Sequence, residues 1–97
     1  MYSIEFTPAA LGDMKALRKK EQKQVVTGIE VQLLDQPAVE TRNRKKLLPN
    51  AVAEWELRIS RFRVFYNVLE EMRLVSIDAV GFKIGNLLFI RGQRTVL

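Results

Sequence analysis

Two runs of alternating residues in the middle of the chain carry the side chains that are best suited to chemistry. Between Trp55 and Val68, apolar residues recur at every second position, which is typical of strands with one buried and one open face. The positions between them hold charged, aromatic and amide side chains: Glu56, Arg58, Arg61, Arg63, Phe65 and Asn67. Arginines beside an aromatic ring predict a surface that binds an anion, because guanidinium groups bind phosphate and carboxylate oxygens.

The chain contains no His and no Cys, which narrows the chemistry of any active site. Zinc and other transition metals favour nitrogen and sulfur ligands, so we expect no metal site of that kind. His is also the usual general acid or base near neutral pH. An enzyme of this composition has to use Lys, Arg, Glu, Asp, Tyr or backbone groups, and we expect no metal and no small-molecule cofactor.

Positive charge is concentrated in one window of the sequence. The formal net charge is +5, and residues 42–63 alone contain seven basic and two acidic residues. Charge concentrated in this way favours a phosphate backbone or an acidic protein as the partner. The run 42–46 is either part of such a surface or a solvated loop. Outside the window, Lys19, Lys20 and Lys23 are expected to form a solvated helix face.

The length of 97 residues allows one domain, which we expect to span residues 1–97. No apolar run approaches the roughly 20 residues needed to cross a bilayer. The first residues lack the basic and apolar regions of a signal peptide. We therefore expect a cytoplasmic protein without membrane contact.

The first third of the chain predicts one strand followed by two helices. Residues 2–6 alternate as a strand, and Thr7 followed by Pro8 is a typical start of a helix. That helix is expected to end at Arg18–Lys20, because cations are favourable at the C-terminal end of the helix dipole. A second helix is expected from about 21 to 34, and the two predict an αα-hairpin.

The remainder of the chain predicts an antiparallel sheet. An irregular connection over 38–53 leads to strands near 53–60 and 61–69, which a tight turn joins. A further strand is expected over 74–80, whereas periodicity does not decide whether the tail, 82–97, is helix or strand. The order is therefore β-α-α-β-β-β plus a C-terminal tail. This is an α+β domain with an αα-hairpin packed on one face of an antiparallel sheet.

Short motifs spread over nearly the whole chain carry a family resemblance. They are Ile-Glu-Phe-Thr-Pro-Ala-Ala at 4–10, Lys-Lys-Leu at 45–47, Trp-Glu-Leu-Arg-Ile at 55–59, Phe-Arg-Val-Phe-Tyr at 62–66 and Val-Gly at 80–81. Together with the length and the order of elements, they resemble the RelE/ParE superfamily of toxins from bacterial toxin–antitoxin systems. The resemblance implies a RelE-like fold.

The superfamily includes two kinds of toxin activity, so the resemblance leaves alternatives. RelE-like members are ribosome-dependent mRNA endoribonucleases, or mRNA interferases, which arrest translation and growth. They cut without a metal, because the RNA 2′-hydroxyl attacks the adjacent phosphate while basic residues stabilise the developing charge. ParE-like members inhibit DNA gyrase by protein contact. A third alternative is a catalytically degenerate member that only binds its antitoxin.

Four residues are candidates for a catalytic site on this resemblance. Arg58 and Arg63 fall where the family places strand cations, and Lys83 stands where RelE-like members have a second arginine. By their charge, Arg63 and Lys83 would hold the scissile phosphate. Glu56 occupies a position at which RelE-like members have a lysine, and it could serve as a base. For Arg58, and also for Arg63, the alternative is a surface salt bridge with Glu56 or Glu54, which would contribute about 0–1 kcal/mol.

Five further residues are candidates for RNA binding: Lys45, Lys46, Arg61, Phe65 and Phe89. Phe65 shares the side of the arginines, where it could stack on a base or pack against the tail. Phe89 falls near a tyrosine position of RelE-like members, and a phenyl ring there can only stack. Its alternatives are packing in the core and contact with an antitoxin.

The resemblance also implies partners. Family members pair with an antitoxin whose flexible segment wraps the toxin, and a basic sheet face suits an acidic partner that folds on binding. The RelE-like interpretation adds the ribosome and mRNA. None of these interpretations requires a membrane or a small-molecule cofactor.

Overall fold

Two helices and seven strands make up the fold, and the computed structural model describes all 97 residues. The elements are β1 (Ser3–Phe6), α1 (Pro8–Lys15), α2 (Lys19–Leu33), β2 (Arg44–Lys46), β3 (Trp55–Ile59), β4 (Phe62–Leu69), β5 (Leu74–Ile84), β6 (Leu87–Ile90) and β7 (Gln93–Thr95). A 3₁₀ turn, Glu70–Met72, separates β4 from β5. Neither helix combines the length and the hydrophobicity that crossing a membrane requires.

The strands form a single sheet in the order β2-β3-β4-β5-β6-β7, and each of these neighbouring pairs is antiparallel. One edge of the long strand β5 pairs with β4, and its other edge pairs with two different strands. Its first residues pair in parallel with β1, and its last residues pair with β6. The predicted α+β architecture, with a helical hairpin on one face of a mainly antiparallel sheet, is confirmed; the parallel pair is not part of the prediction.

The start of α1 follows the predicted capping chemistry. Thr7 Oγ1 accepts a hydrogen bond from the Ala10 N–H at 3.1 Å. Pro8 takes the first helical position, where the N–H that proline lacks has no partner within the helix. These local contacts fix the point at which the chain leaves β1 and crosses the sheet.

The junction between the two helices differs from the prediction. The first helix ends at Lys15, and the second already begins at Lys19. The Glu21 carboxylate accepts the Arg18 N–H at 3.1 Å, which satisfies a backbone donor at the start of α2. The basic run Arg18–Lys20 therefore begins the second helix, and the prediction that it ends the first is wrong.

The main core lies between the helices and the sheet. Its buried residues are Tyr2, Ala10, Met14, Val25, Ile29, Leu33, Trp55, Leu57, Phe62, Val64, Tyr66, Val75, Ile77 and Val80. Tyr66 stacks on Trp55 with ring centroids 6.0 Å apart, and its hydroxyl donates to the Pro37 carbonyl at 2.7 Å. The apolar positions of the two central strands thus face the helices, as the alternation predicts.

A second, smaller core lies on the opposite face of the sheet. The tail folds into the hairpin of β6 and β7, and Leu88 and Ile90 pack there with Ala53, Phe65 and Ala79. Phe65 is fully buried as a result. The prediction that Phe65 is available for base stacking is wrong, because the C-terminal hairpin covers that part of the sheet.

Strand β2 forms within the segment predicted to be irregular. It pairs with β3 and places Lys45 opposite Glu56. The buried Arg44 holds this segment in place, because its guanidinium donates to the carbonyls of Gln32 at 2.6 Å and Val39 at 2.9 Å. A strand of three residues is too short to produce an alternating pattern, so the sequence does not predict it.

Strand β5 continues beyond the predicted end at residue 80. A Cβ atom on Gly81 would overlap the Phe89 carbonyl of β6, so glycine permits β5 and β6 to approach closely. The strand therefore runs through Gly81 to Ile84. This extension carries Lys83 onto the same sheet as β3 and β4.

Candidate functional site

A hollow of about 320 Å³ lies on the sheet face that is turned away from the helices. Charged side chains from β2, β3, β5 and β7 line it: Lys45, Glu56, Arg58, Lys83 and Arg94. Apolar residues of the C-terminal hairpin complete the wall. We call this site the cationic hollow, because its lining includes four cationic side chains and one acidic side chain.

Strand register explains why residues that are distant in sequence meet here. Lys45 lies directly opposite Glu56, and Arg58 lies directly opposite Arg63. Directly opposed residues of an antiparallel pair point to the same face of the sheet. Lys83 follows from β5 and lies opposite Leu88 of β6. The structure therefore brings Arg58 and Lys83 together on one surface, as the sequence predicts.

All four cations of the hollow are available to an incoming anion, and Arg58 and Lys83 are the two that the sequence predicts for catalysis. Arg58 is exposed and Lys83 is half-buried. Neither takes part in the ion pairs of the molecule. The alternative prediction for Arg58, a salt bridge with Glu56 or Glu54, is not found. Glu56 pairs instead with Arg63, the other arginine for which a salt bridge is the alternative.

Glu56 and Arg63 form a largely buried pair at the side of the hollow. Their side chains are only 9% and 13% exposed, and Arg63 Nε lies 3.5 Å from Glu56 Oε1. At that distance the buried Nε makes no hydrogen bond. Arg63 Nη1 donates instead to the carbonyls of Ser60 at 2.8 Å and Phe62 at 2.9 Å.

These contacts determine which role Arg63 can have in the site. Its guanidinium is enclosed by the turn between β3 and β4, so it supports Glu56 and this turn rather than projecting into the hollow. Burial lowers the pKa of Arg63 more than the Glu56 carboxylate raises it, and the neighbouring Arg58 adds to the lowering. The interpretation that Arg63 holds a phosphate directly does not fit this placement.

Arg61 lies away from the hollow, on the helix side of the molecule. It occupies the tight turn between β3 and β4, where its guanidinium pairs with Glu21 at 2.5 Å. The same group covers the rings of Phe62 and Phe82, at 5.1 and 5.8 Å from the centroids. The predicted position of Arg61 on the open face is wrong, because alternation does not continue through a turn.

The remaining candidates for RNA binding are divided between different surfaces. Lys45 lines the cationic hollow, whereas Lys46 lines a neighbouring hollow of about 430 Å³ formed by the loop before β3. Phe89 stacks on Phe82 with centroids 5.7 Å apart and does not line the cationic hollow. Phe89 is half-buried and belongs to neither core, so the alternative of packing in the core is not confirmed.

Sequence patterns do not reveal Arg94, which lines the hollow from the C-terminal hairpin. An ion pair joins this hairpin to the body of the protein: Arg91 Nε lies 3.1 Å from Asp13 Oδ1 of α1. The buried Asp13 also accepts the Val80 N–H at 3.0 Å. The sequence shows that the tail is basic, but Asp13, the residue with which Arg91 pairs, lies far away in the chain.

The cationic hollow can bind an oxyanion and can accept a proton. Arg58 and Lys83 offer positive charge without a competing ion pair, and the Glu56 carboxylate lies beside them. Within the molecule, no group of three or more His, Cys, Asp and Glu side chains is clustered closely enough to hold a metal ion.

Two solved structures show the same fold. A chain of the RelBE2 toxin–antitoxin complex from Mycobacterium tuberculosis matches with a TM-score of 0.68 and 23% identity, over 84% of this chain and 98% of that one. A chain of the intact Escherichia coli RelBE toxin–antitoxin complex matches with a TM-score of 0.61 and 22% identity, over 87% of this chain and 99% of that one. No curated protein matches the chain in sequence.

A family model identifies the chain more directly. The model described as the ParE toxin of the type II toxin–antitoxin system parDE matches residues 4–82. This match covers most of the chain and includes both helices, all of β2 to β4, and most of β1 and β5. The protein therefore belongs to the ParE toxin family of type II toxin–antitoxin systems, within the RelE/ParE superfamily.

Proposed function

We propose that this toxin is an endoribonuclease that cuts mRNA on the ribosome and thereby arrests translation. The observation that supports the proposal is the cationic hollow, where Arg58 and Lys83 are available beside the Glu56 carboxylate. RNA cleavage without a metal needs cations for the charge that develops on the phosphate, and an acceptor for one proton. The hollow contains both kinds of group.

The proposed reaction is an internal transesterification. Glu56 accepts the proton of the RNA 2′-hydroxyl, and the 2′-oxygen forms a bond to the adjacent phosphorus. Arg58 and Lys83 stabilise the additional negative charge on the phosphate oxygens. The bond from phosphorus to the 5′-oxygen then breaks, a proton from solvent completes the 5′-hydroxyl, and a 2′,3′-cyclic phosphate remains on the other fragment.

Arg63 acts in this proposal as a positioning residue. It does not reach the substrate, but its Nε lies beside the Glu56 carboxylate and its Nη1 fixes the turn after Arg58. Since Glu56 is held by a cation on one side, its movement toward a 2′-hydroxyl is restricted. We therefore expect slower cleavage than a freely accessible base would support.

Transcript-end mapping after induction of the toxin tests this proposal. Wild-type protein is expected to produce cuts within translated codons, and an Arg58→Gln/Lys83→Met variant is expected to lose them. The matched control is Arg42→Gln/Arg73→Gln, which removes two exposed cations outside the hollow and should leave the cuts in place. Growth arrest with intact transcripts would overturn the proposal.

The second candidate function is inhibition of DNA gyrase by protein contact. The match to the ParE family model favours it, and so does the carboxylate of Glu56 at a position where RelE-like members have a cation. Gyrase-dependent DNA breaks on induction would support this function. Normal supercoiling without a DNA-damage response would contradict gyrase inhibition. Harmless expression of the toxin would indicate the third alternative, a catalytically degenerate member.

A cognate antitoxin is the expected partner under either function. The similar solved chains come from toxin–antitoxin complexes, and the positive charge of the cationic hollow suits an acidic segment that folds on binding. The RelE-like function adds the ribosome and mRNA as partners, and places the protein in the cytoplasm. Co-purification with the product of the neighbouring open reading frame tests whether that product is the antitoxin. Purification of the toxin without it would contradict this partner.

A further inference from the structure

A second concentration of positive charge lies on the helix side of the molecule. Five exposed cations occur within nine consecutive positions at the junction of α1 and α2: Lys15, Arg18, Lys19, Lys20 and Lys23. We call this surface the helix ridge. Because the helices cover one face of the sheet and the cationic hollow lies on the other, the two surfaces point in different directions.

The charge of the helix ridge is not neutralised within the protein. Glu21 is the one acidic residue among these positions, and two guanidinium groups already bind it, from Arg18 at 3.4 Å and Arg61 at 2.5 Å. The four lysines of the ridge take part in none of the ion pairs. The ridge therefore presents four free ammonium groups.

Helix energetics account for Lys15, which lies in the last turn of α1, and Arg18 is compensated by Glu21. Helix energetics do not account for Lys19 and Lys20. Arg18 is the N-cap of α2, and Lys19 and Lys20 are its first two residues. The partial positive charge of a helix N-terminus disfavours cations there, by about 0.3–1 kcal/mol each. Where a sequence breaks a local rule without a compensating contact, a function for the exposed groups is expected.

A shallow depression beside the ridge offers two of its cations and two neutral polar side chains to an anionic chain. Along α2, four polar residues line a shallow depression of about 450 Å³ with no apolar side chain: Lys20, Lys23, Gln24 and Thr27. Their spacing places them on one side of the helix, in a row about 10 Å long. No aromatic ring borders this depression, so it offers nothing on which a base could stack.

We propose that the helix ridge binds the phosphate backbone of double-helical RNA, independently of sequence, while the cationic hollow takes a different part of the RNA. The choice of RNA as the polymer rests on the proposed function, but binding by the ridge does not require cleavage. A protein with phosphate-binding surfaces in two directions is suited to a crevice between RNA segments, where each surface contributes to affinity.

Salt-dependent binding to a plain RNA duplex of about 20 base pairs tests the ridge without ribosomes. Replacing Lys20 and Lys23 with Gln should weaken binding roughly tenfold at 0.1 M salt and reduce the slope of log affinity against log salt by about 1–2, because two phosphate contacts are lost. The matched control is Val31→Glu/Gln36→Glu. It changes the net charge by the same amount, at Val31 in the last turn of α2 and at Gln36 just beyond the helix, where both side chains are exposed.

The control separates a local contact from an effect of net charge. We expect it to change the slope by less than about 0.5, with circular dichroism confirming that both variants are folded. An unchanged slope in the Lys20→Gln/Lys23→Gln variant would overturn the inference, and so would an equal loss in the control. If wild-type protein cuts no mRNA while the ridge variant still loses duplex binding, the proposed function is wrong, but the inference that the ridge binds RNA stands.

Discussion

The cationic hollow and the helix ridge both carry free positive charge, but the protein builds them in different ways. The hollow gathers its side chains from β2, β3, β5 and β7, so it depends on strand register and on the closure of the C-terminal hairpin. The ridge uses neighbouring positions of one helical junction. Damage to packing should therefore disable the hollow first, whereas only substitution of its own lysines should disable the ridge.

The largest effect is expected from Phe65→Ala, which removes the central side chain of the second core. Loss of a fully buried phenyl ring should lower the free energy of unfolding by about 3–5 kcal/mol. Urea denaturation measures this change. The control is Leu48→Ala, because Leu48 is 86% exposed and its loss should change stability by less than about 0.5 kcal/mol. A Phe65 variant as stable as that control would show that the hairpin does not cover this ring.

The pair of Arg63 and Glu56 gives the next largest effect. Arg63→Met leaves a buried carboxylate without its cation, which should cost about 3 kcal/mol, the lower end of the range for a broken buried pair, because Nε and Oε1 are 3.5 Å apart. Adding Glu56→Gln removes the unpaired charge and should recover part of the loss. Denaturation of both single variants and the double variant measures the coupling, and purely additive losses would contradict the pairing.

The link between the hairpin and α1 should have a smaller effect. Asp13→Asn keeps an acceptor for the Val80 N–H but loses the ion pair with Arg91. Since Arg91 is 45% exposed, we expect a loss of only about 1 kcal/mol. Hydrogen exchange should nevertheless become faster in β6 and β7, which carry one wall of the hollow, and remain unchanged in α2. Equal acceleration in both regions would indicate general destabilisation instead.

The smallest effect concerns Glu21 beside the ridge, and it depends on pH. The Arg18 N–H, the Arg18 guanidinium and Arg61 lower the pKa of Glu21 from its ordinary value of 4.5. A carboxylate with a lowered pKa in the folded state stabilises the protein above its unfolded pKa, and this contribution is lost as the pH falls through the lowered value. The Tm of wild-type protein should therefore fall more steeply below about pH 4.5 than that of Glu21→Gln. Parallel curves would contradict this linkage.

Local patterns in the sequence predict much of the fold, because they depend on neighbouring residues. Alternation identifies the buried faces of β3 and β4, and the capping chemistry of Thr7 and Pro8 identifies the start of α1. The same alternation places Phe65 on the second face correctly. It cannot show that β6 covers that face, since the covering residues lie more than twenty positions later in the chain.

Some residues of the candidate site likewise follow from the sequence, whereas others depend on contacts between distant segments. Arg58 and Glu56 follow from alternation within one strand, and Lys83 follows from the family resemblance. The enclosure of Arg63 depends on carbonyl groups of the turn, and the contribution of Arg94 depends on a hairpin that has no periodic signal. Such contacts between distant segments can only be read from a folded chain.

The rate of mRNA cleavage on programmed ribosomes tests the central claim most directly. In single turnover at saturating toxin, Arg58→Gln/Lys83→Met should slow cleavage by at least about 100-fold, because two of the four free cations of the hollow are lost. The Val31→Glu/Gln36→Glu control should cut at the wild-type rate and at the same positions. Cleavage by the Arg58→Gln/Lys83→Met variant at the wild-type rate would contradict the assignment of the cationic hollow as the RNA site.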